Sequence, residues 1–272
     1  MADIDTGTED LLARLEDGVL TLTLNRPQAR NAMSGAMNQA LGQQLAWAEL
    51  APEVKVVVLT GAGQGFCAGG DVKSMARTNE SGREATIDEA IASQRVNQRA
   101  TAGKLFKMPK PTIAALPGAA AGAGLALALS CDLRIMASSA ILTTAFAKVG
   151  FAGDYGGTYF LTQLVGAAKA REMYFLSDRV SADEALRLGL ANWVVEPDQL
   201  AAKTAEIAGR LAKGPTVAYR YMKENLNRAM AGAWDECMDL EATHHVHAGQ
   251  TRDHKEAAKA FVEKREPVFE GR

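Results

Sequence analysis

The sequence predicts an α/β core that gives way to an all-helical C-terminal part, and three observations predict it. Short apolar strand patterns alternate with helix patterns from about residue 10 to residue 200. Four helix patterns with no strand between them fill the remainder. Glycine, 25 of 272 residues, is concentrated in loops around apolar strand and helix patterns. The expected division is a core over residues 1–200 and a helical region over 201–272. A chain of this length buries a core without needing disulfides or metals.

The elements follow in order. Leu11–Glu16 and Val19–Leu24 flank Asp17-Gly18, a hairpin turn signal. Asn25–Asn31 reads as a loop carrying Arg26, Pro27 and Arg30. Ser34 is placed to cap a helix to about Leu50, with Met37, Leu41, Leu45 and Trp47 as its apolar residues. Val54–Thr60 is a continuous apolar strand of the kind buried on both faces. Gly61–Gly70 is a glycine-rich loop, and Asp71–Met75 opens a helix. Residues 76–104 are polar: a solvated loop and helix, or a variable wall over a substrate tail.

Pro111–Cys131 holds no charged residue and is long enough to suggest a membrane span. Pro111, Pro117, Gly118, Gly122 and Gly124 oppose that reading, because proline interrupts a helix and glycine weakens it. The segment reads instead as a strand Thr112–Leu116, a turn at Pro117-Gly118, a small-residue loop, and a buried helix from about Gly122 to Ser130. Leu133–Met136 and Ala140–Thr144 are further strands. A second glycine-rich loop, Gly150–Gly157, leads into a helix Thr158–Val165. Ser181–Leu188 is a helix with a capping box of Ser181 and Glu184, and Val194-Val195 is a last strand. The C-terminal helices are expected at Ala201–Ala212, Thr216–Ala229, Ala233–His247 and Asp253–Lys264.

Composition excludes several function classes. Lys plus Arg is 30 against 32 Asp plus Glu, a net charge of −2, which opposes a general nucleic-acid binder. Cys67, Cys131 and Cys237 form neither a disulfide framework nor a zinc site. Met1–Asp10 is polar and acidic, unlike a signal peptide, so a cytoplasmic location is expected. His244, His245, His247 and His254 all fall in the C-terminal helices, on a solvated or inter-subunit face, and no metal site is expected.

Two small-residue stretches bear the chemistry. Leu59–Asp71 lacks the Gly-Lys-Ser/Thr of a phosphate loop and the spacing of a dinucleotide fingerprint, and taken alone it is equally a simple turn. Pro117–Leu125 allows close backbone approach, and the helix after it points its N-terminal amides at whatever sits there. Two such loops facing each other can hold one oxygen between two amide donors, an oxyanion hole.

Phe66-Cys67-Ala68-Gly69-Gly70-Asp71-Val72, with Gly122-Ala123-Gly124 and Cys131-Asp132 behind it, resembles the crotonase superfamily, the enoyl-CoA hydratase/isomerase family. Four further segments are similar to the family's, in order: Leu24-Asn25-Arg26-Pro27 with Asn31-Ala32-Met33; Lys110–Ala115; Ala185–Leu190 with Val194-Val195; and Phe261–Arg265 with Pro267. The resemblance implies a spiral of ββα units with a helical C-terminal region, a homotrimer or a homohexamer of paired trimers, and acyl-CoA thioester substrates with no tightly bound cofactor. It implies that the amides of Gly70 and Ala123 hold the thioester oxygen, although the family usually has glycine at the second position. It also implies CoA contacts at Arg30, Ala32, Ala68, Asp71 and Val72, and at Phe261 and Lys264, the last two sometimes reaching a neighbour's CoA.

The sequence departs from the family's hydratases, which carry two glutamates that activate water. Those positions here are Ala126 and Phe146, and no Asp or Glu lies between Leu133 and Gly153. One carboxylate remains, Asp154, where family isomerases carry an acid. It is either the acid/base or a helix N-cap. Walled by Phe151, Tyr155 and Phe146, it would have a raised pKa suited to taking a proton and returning it. The favoured expectation is double-bond isomerisation of an enoyl-CoA. An enoyl-CoA hydratase, an acyl-CoA thioester hydrolase and a non-catalytic CoA-binding protein stay open. A dehalogenase-like role for Asp154 would need a further base, and the core segments contain no histidine.

Overall fold

The computed structural model describes residues 2–71, 86–232 and 234–272. The Asp71–Met75 helix start beyond Asp71, and residues 76–85 of the polar stretch, lie outside the described residues.

The strands are β1 (Ala2–Ile4), β2 (Leu11–Glu16), β3 (Val19–Leu24), β4 (Val56–Gly61), β5 (Gly65–Cys67), β6 (Thr112–Leu116), β7 (Ala119–Ala121), β8 (Leu133–Ala137), β9 (Ile141–Thr143), β10 (Val180–Ser181) and β11 (Trp193–Val195). The helices are α1 (Gly35–Leu50), α2 (Ile87–Ala100), α3 (Ala102–Lys107), α4 (Ala123–Ser130), α5 (Gly157–Leu176), α6 (Ala182–Arg187), α7 (Leu200–Ala212), α8 (Thr216–Met230), α9 (Trp234–Gly249) and α10 (Arg252–Glu263).

Seven strands form one sheet in the order β1-β2-β3-β4-β6-β8-β11, and four form a smaller sheet in the order β10-β9-β7-β5. The first sheet opens with an antiparallel meander, β1 to β3, and is parallel from β3 onward. Three times the chain lays one strand in the large sheet and the next in the small one: β4 then β5, β6 then β7, β8 then β9. Helices α4 and α5 follow the last two pairs. The expected ββα spiral is therefore present, although its repeat left no fixed period in the sequence.

Burial explains which segments became which element. Every residue of β6 is buried, as a central strand covered on both faces requires. In α1, Met37, Leu41, Leu45 and Ala48 form the buried stripe, and Ser34 Oγ accepts from Met37 N–H at 3.0 Å. Trp47, expected on that stripe, is 36% exposed, because six residues past Leu41 is well off the helix face. All eight residues of α4 are buried, so its uncharged character reflects a helix inside the domain. No described helix is long and apolar enough to cross a membrane.

Other expectations are corrected in detail. The helix expected to stop at Val165 continues to Leu176, interrupted by Gly166 at φ 75°, ψ 163°. The Ser181 box is half formed: Ser181 Oγ accepts from Glu184 N–H, but the Glu184 carboxylate turns outward to Arg187. A complete box forms instead at Thr86 and Glu89, at the start of α2.

The C-terminal helices do not float free of the core. Helix α7 packs on the large sheet against β3, β4, β6 and β8. Lys223 of α8 is buried, and its Nζ donates to Asp132 Oδ2 at 2.8 Å, Leu105 O at 2.9 Å and Lys110 O at 3.1 Å. Asp132 also accepts from Thr112 N–H at 2.8 Å. One acidic side chain thus joins a central strand, the end of α4 and a C-terminal helix.

Candidate active site

The first wall is built by two loops pinned to each other. Asn31 is fully buried at φ +57°. Its Nδ2 donates to Ala62 O at 2.9 Å and Gly65 O at 2.8 Å, and its Oδ1 accepts from Arg26 N–H at 2.9 Å. Ala68 N–H donates to Arg30 O at 3.0 Å, and Met33 N–H donates to Gly69 O at 2.8 Å. Arg26 Nη1 donates to Ala32 O at 2.7 Å and to Asp71 Oδ2 at 3.0 Å. Arg30, Ala32, Ala68 and Asp71 are therefore brought together, with Arg30 and Ala68 exposed, Ala32 buried, and Asp71 turned to Arg26. Val72 lies outside the described residues. Phe261 is 86% exposed at the end of α10 and Lys264 follows it at φ +54°; among the described residues, no hydrogen bond or ion pair links either to these loops.

The second wall is the start of α4. Gly69 has φ +92°, and a Cβ there would lie 2.9 Å from Ala121 O and 3.4 Å from Ala123 N. The absence of a side chain lets the backbone of 68–70 lie against that of 121–123. A Cβ at Gly124 would come within 2.4 Å of Cys67 O, so a second glycine closes the same seam. Ala123 is the first residue of α4, and its amide is one that a helix leaves without an internal partner. Met33 pairs with Gly70 through the Gly69 carbonyl, which turns the Gly70 amide the other way. Among the described residues, neither the Gly70 nor the Ala123 amide donates to a protein acceptor. Two free amides on adjoining backbones, at the positive end of a helix, suit a developing oxyanion. Burial pushes the neighbouring Cys67 thiol up to about 12, which leaves it inert.

The third wall carries the acid. Gly153, Tyr155 and Gly156 all have positive φ, at 111°, 48° and 78°. Helix α5 begins at Gly157, with Gly156 as its N-cap and no side-chain cap. The N-cap reading of Asp154 is thereby overturned. Its Oδ1 is buried without a hydrogen-bond partner, and burial pushes the carboxyl up to about 6.

Aromatic side chains surround it. The Tyr155 and Tyr174 hydroxyls are pushed up to about 12 by burial first and then by the Asp154 charge, so both are neutral phenols. Tyr174 stacks on Phe146, with ring centroids 5.8 Å apart and planes 6° from parallel. The place of a Cβ on Gly122 is 3.7 Å from the Phe146 ring. The place of a Cβ on Gly157 is 3.2 Å from Ala126 Cβ and 2.8 Å from Tyr174 Oη. The Asp154 turn, Phe146, Tyr174 and the first turns of α4 thus form one apolar surface. Phe151, expected against the carboxyl, is instead 56% exposed. Tyr174 was not legible as a site residue, because it sits in the second half of α5 beyond Gly166.

Among the described residues, no three His, Cys, Asp or Glu side chains gather as metal ligands. His244 is not on a solvated face. It is buried, its Nδ1 is 2.6 Å from Asn225 Oδ1 and its Nε2 3.2 Å from Glu224 Oε2, and its ring stacks on Tyr221 at 4.4 Å. His245, His247 and His254 are exposed.

A family model described as enoyl-CoA hydratase/isomerase matches residues 14–272. The chain belongs to that family. It is 36% identical over 264 residues to the 1,2-epoxyphenylacetyl-CoA isomerase of Escherichia coli, covering 97% of this chain and 99% of the relative. It is 35% identical to the short-chain-enoyl-CoA hydratase of Clostridium acetobutylicum, covering 94% and 95% of the two chains. Among solved structures, an enoyl-CoA hydratase/isomerase from Mycobacterium abscessus superposes with a TM-score of 0.90 at 34% identity, covering 96% of this chain and all of that one. The crotonase fold is thus established, and relatives within the family carry both isomerase and hydratase names.

The raised Asp154 pKa has a consequence for stability. The folded state holds a proton on this group up to about pH 6, whereas the ordinary value is 3.8. Its contribution is therefore most favourable below about pH 4 and is lost as pH rises through about 6. Asp154→Asn is expected to stabilise the protein at pH 7 by about 1–2 kcal/mol, a figure reduced for the partial access of solvent. In urea unfolding that advantage should vanish near pH 4. An equal difference at both pH values contradicts the raised pKa.

Proposed function

We propose that this enzyme isomerises an enoyl-CoA thioester, moving a carbon–carbon double bond with one carboxylate as the proton shuttle. The observation that carries the reading is the buried, unpartnered Oδ1 of Asp154. It stands in an apolar surface where the two hydratase glutamate positions are Ala126 and Phe146, both buried. A carboxylate with no protein partner is free to receive a proton from a substrate.

The steps balance without a further reagent. The Asp154 carboxylate takes the α-proton of a β,γ-unsaturated acyl-CoA, and the C–H electron pair passes into a dienolate. The negative charge gathers on the thioester oxygen, held by the Gly70 and Ala123 amides. The carboxyl group returns the proton at the γ-carbon, leaving the conjugated α,β-enoyl-CoA. The CoA portion is assigned to the Arg30–Ala32 and Ala68–Val72 loops, with Phe261 and Lys264 contributing from the C-terminal helix. Hydration would need a second carboxylate to orient water, and neither Ala126 nor Phe146 can do so. The relative named 1,2-epoxyphenylacetyl-CoA isomerase supports an isomerase acting on a CoA thioester. A binding-only role would gain nothing from a buried carboxylate that lowers stability at neutral pH.

The C-terminal helices are assigned to contacts between copies. Trp234, Phe261 and Val262 are 73%, 86% and 79% exposed, large apolar surfaces for a lone chain to leave in water. Sedimentation should give a trimer or a pair of trimers, and a monomer at micromolar concentration contradicts this.

The chemistry has two direct tests. Asp154→Asn should lower isomerisation by ~10²–10⁴, and in the wild type kcat/KM should fall as pH drops below about 6 and the carboxyl takes up a proton. An Asn variant with wild-type turnover rejects the proton shuttle. Ala123→Pro removes one amide hydrogen at a helix position where proline is accommodated, and turnover should fall by ~10²–10³. A folded variant with unchanged turnover rejects that donor.

A further inference from the structure

The turn that presents Asp154 is held from outside by Gln98. Tyr155, with φ +48°, is a bulky side chain in the left-handed region, between Gly153 and Gly156, which are also at positive φ. Such a conformation is costly and persists only where the surroundings fix it. Helix α2 supplies the tie. The Tyr155 N–H donates to Gln98 Oε1 of α2 at 3.1 Å, across 57 residues of sequence. The Tyr155 side chain itself is buried.

The residue that makes the backbone bond sits near the anchored end of its helix. Helix α2 buries none of its residues, so its own packing is thin. Its last residue, Ala100, meets α1 closely: a Cβ on Gly42 would lie 3.3 Å from Ala100 Cβ. Thr101 then ties the chain back, with Oγ1 donating to Asn97 O at 2.8 Å. Gln98 lies between Asn97 and that contact, so its amide is a firm point from which to hold a neighbouring turn.

We propose that Gln98 is a positioning residue for the isomerase reaction: by accepting the Tyr155 amide hydrogen it locks the 153–156 turn so that the Asp154 carboxylate faces the substrate. This rests on Asp154 being the proton shuttle. Gln98 itself touches no reacting atom. Its loss lets the turn relax toward ordinary dihedral angles and swings the carboxyl away. A displacement of about 1 Å in a reacting group costs up to ~10²-fold in rate.

The test compares Gln98→Met, which keeps length and helix propensity but loses the acceptor, with Gln98→Glu, which keeps an oxygen acceptor. Steady-state isomerisation of a β,γ-enoyl-CoA is measured for both, alongside Asp154→Asn and circular dichroism. Gln98→Met should lower kcat by ~10–10²-fold with KM changed by less than about threefold. Gln98→Glu should restore kcat to within about threefold at pH 8, with its acid limb moved upward because a second carboxylate now neighbours Asp154. Unchanged kcat in a folded Gln98→Met overturns the proposal, as does an equal loss in Met and Glu variants. If Asp154→Asn is itself fully active, the failure belongs to the proton-shuttle reading and removes the basis for this one.

Discussion

The site depends on a contact between backbones rather than between side chains. At Gly69 the first glycine loop passes so close to residues 121–123 that a methyl group would stand 2.9 Å from a carbonyl oxygen. Beside it, Gly124 presses on Cys67 with room for no side chain. These approaches hold the start of α4 against the loop after β5 and bring the Gly70 and Ala123 amides to one place. The remainder of the site is arranged around that seam: Asn31 and Arg26 fasten the N-terminal loop to one side, and Phe146, Tyr174 and the Asp154 turn close the other. The parallel order of β4, β6 and β8 delivers the successive loops to the same end of the sheet.

Against this rigid frame stands one feature that works against stability. A half-buried carboxyl is left with an unpartnered oxygen and raised to about 6 in a turn of three positive-φ residues. Folding alone gives no reason to retain it, since asparagine would be more stable at neutral pH. In the proposed mechanism, substrate supplies the missing partner: the α-proton is what Oδ1 lacks. On that proposal, destabilisation and chemistry have the same origin, as in other sites where a group is held ready at some energetic cost.

Long periodic segments were legible in the sequence, and so was the close approach of backbone at the glycine loops. The Ser34 helix, the hairpin at Asp17-Gly18 and the strand Thr112–Leu116 follow from capping, turn and burial patterns that act locally. The glycine loops announce close backbone approach because no other residue permits it. Of the three-residue strands, β9 and β11 were read, whereas β5 and β7 were not, because they lie within the small-residue loops and offer no apolar run. Trp47 was misplaced because hydrophobicity alone does not fix a helix face, and Phe151 because neighbours in sequence need not be neighbours in space. Tyr174 and Gln98 reach the site from helices about 20 residues after and 56 before Asp154, and nothing local to either marks that meeting. Asp154 was readable as either an acid/base, by resemblance, or a helix N-cap; that it does not cap the helix required the observed start of α5.

Turnover of a β,γ-enoyl-CoA in heavy water, followed by mass spectrometry of the product, bears most directly on the single-carboxylate chemistry. Proton transfer through Asp154 predicts a conjugated enoyl-CoA that has gained no water, with its new γ-hydrogen carried over from the α-carbon and replaced by deuterium only to the extent that the carboxyl exchanges with solvent before it returns the proton. A product heavier by the elements of water, a hydroxyacyl-CoA formed at a comparable rate, would contradict it while leaving the family and the fold as they are.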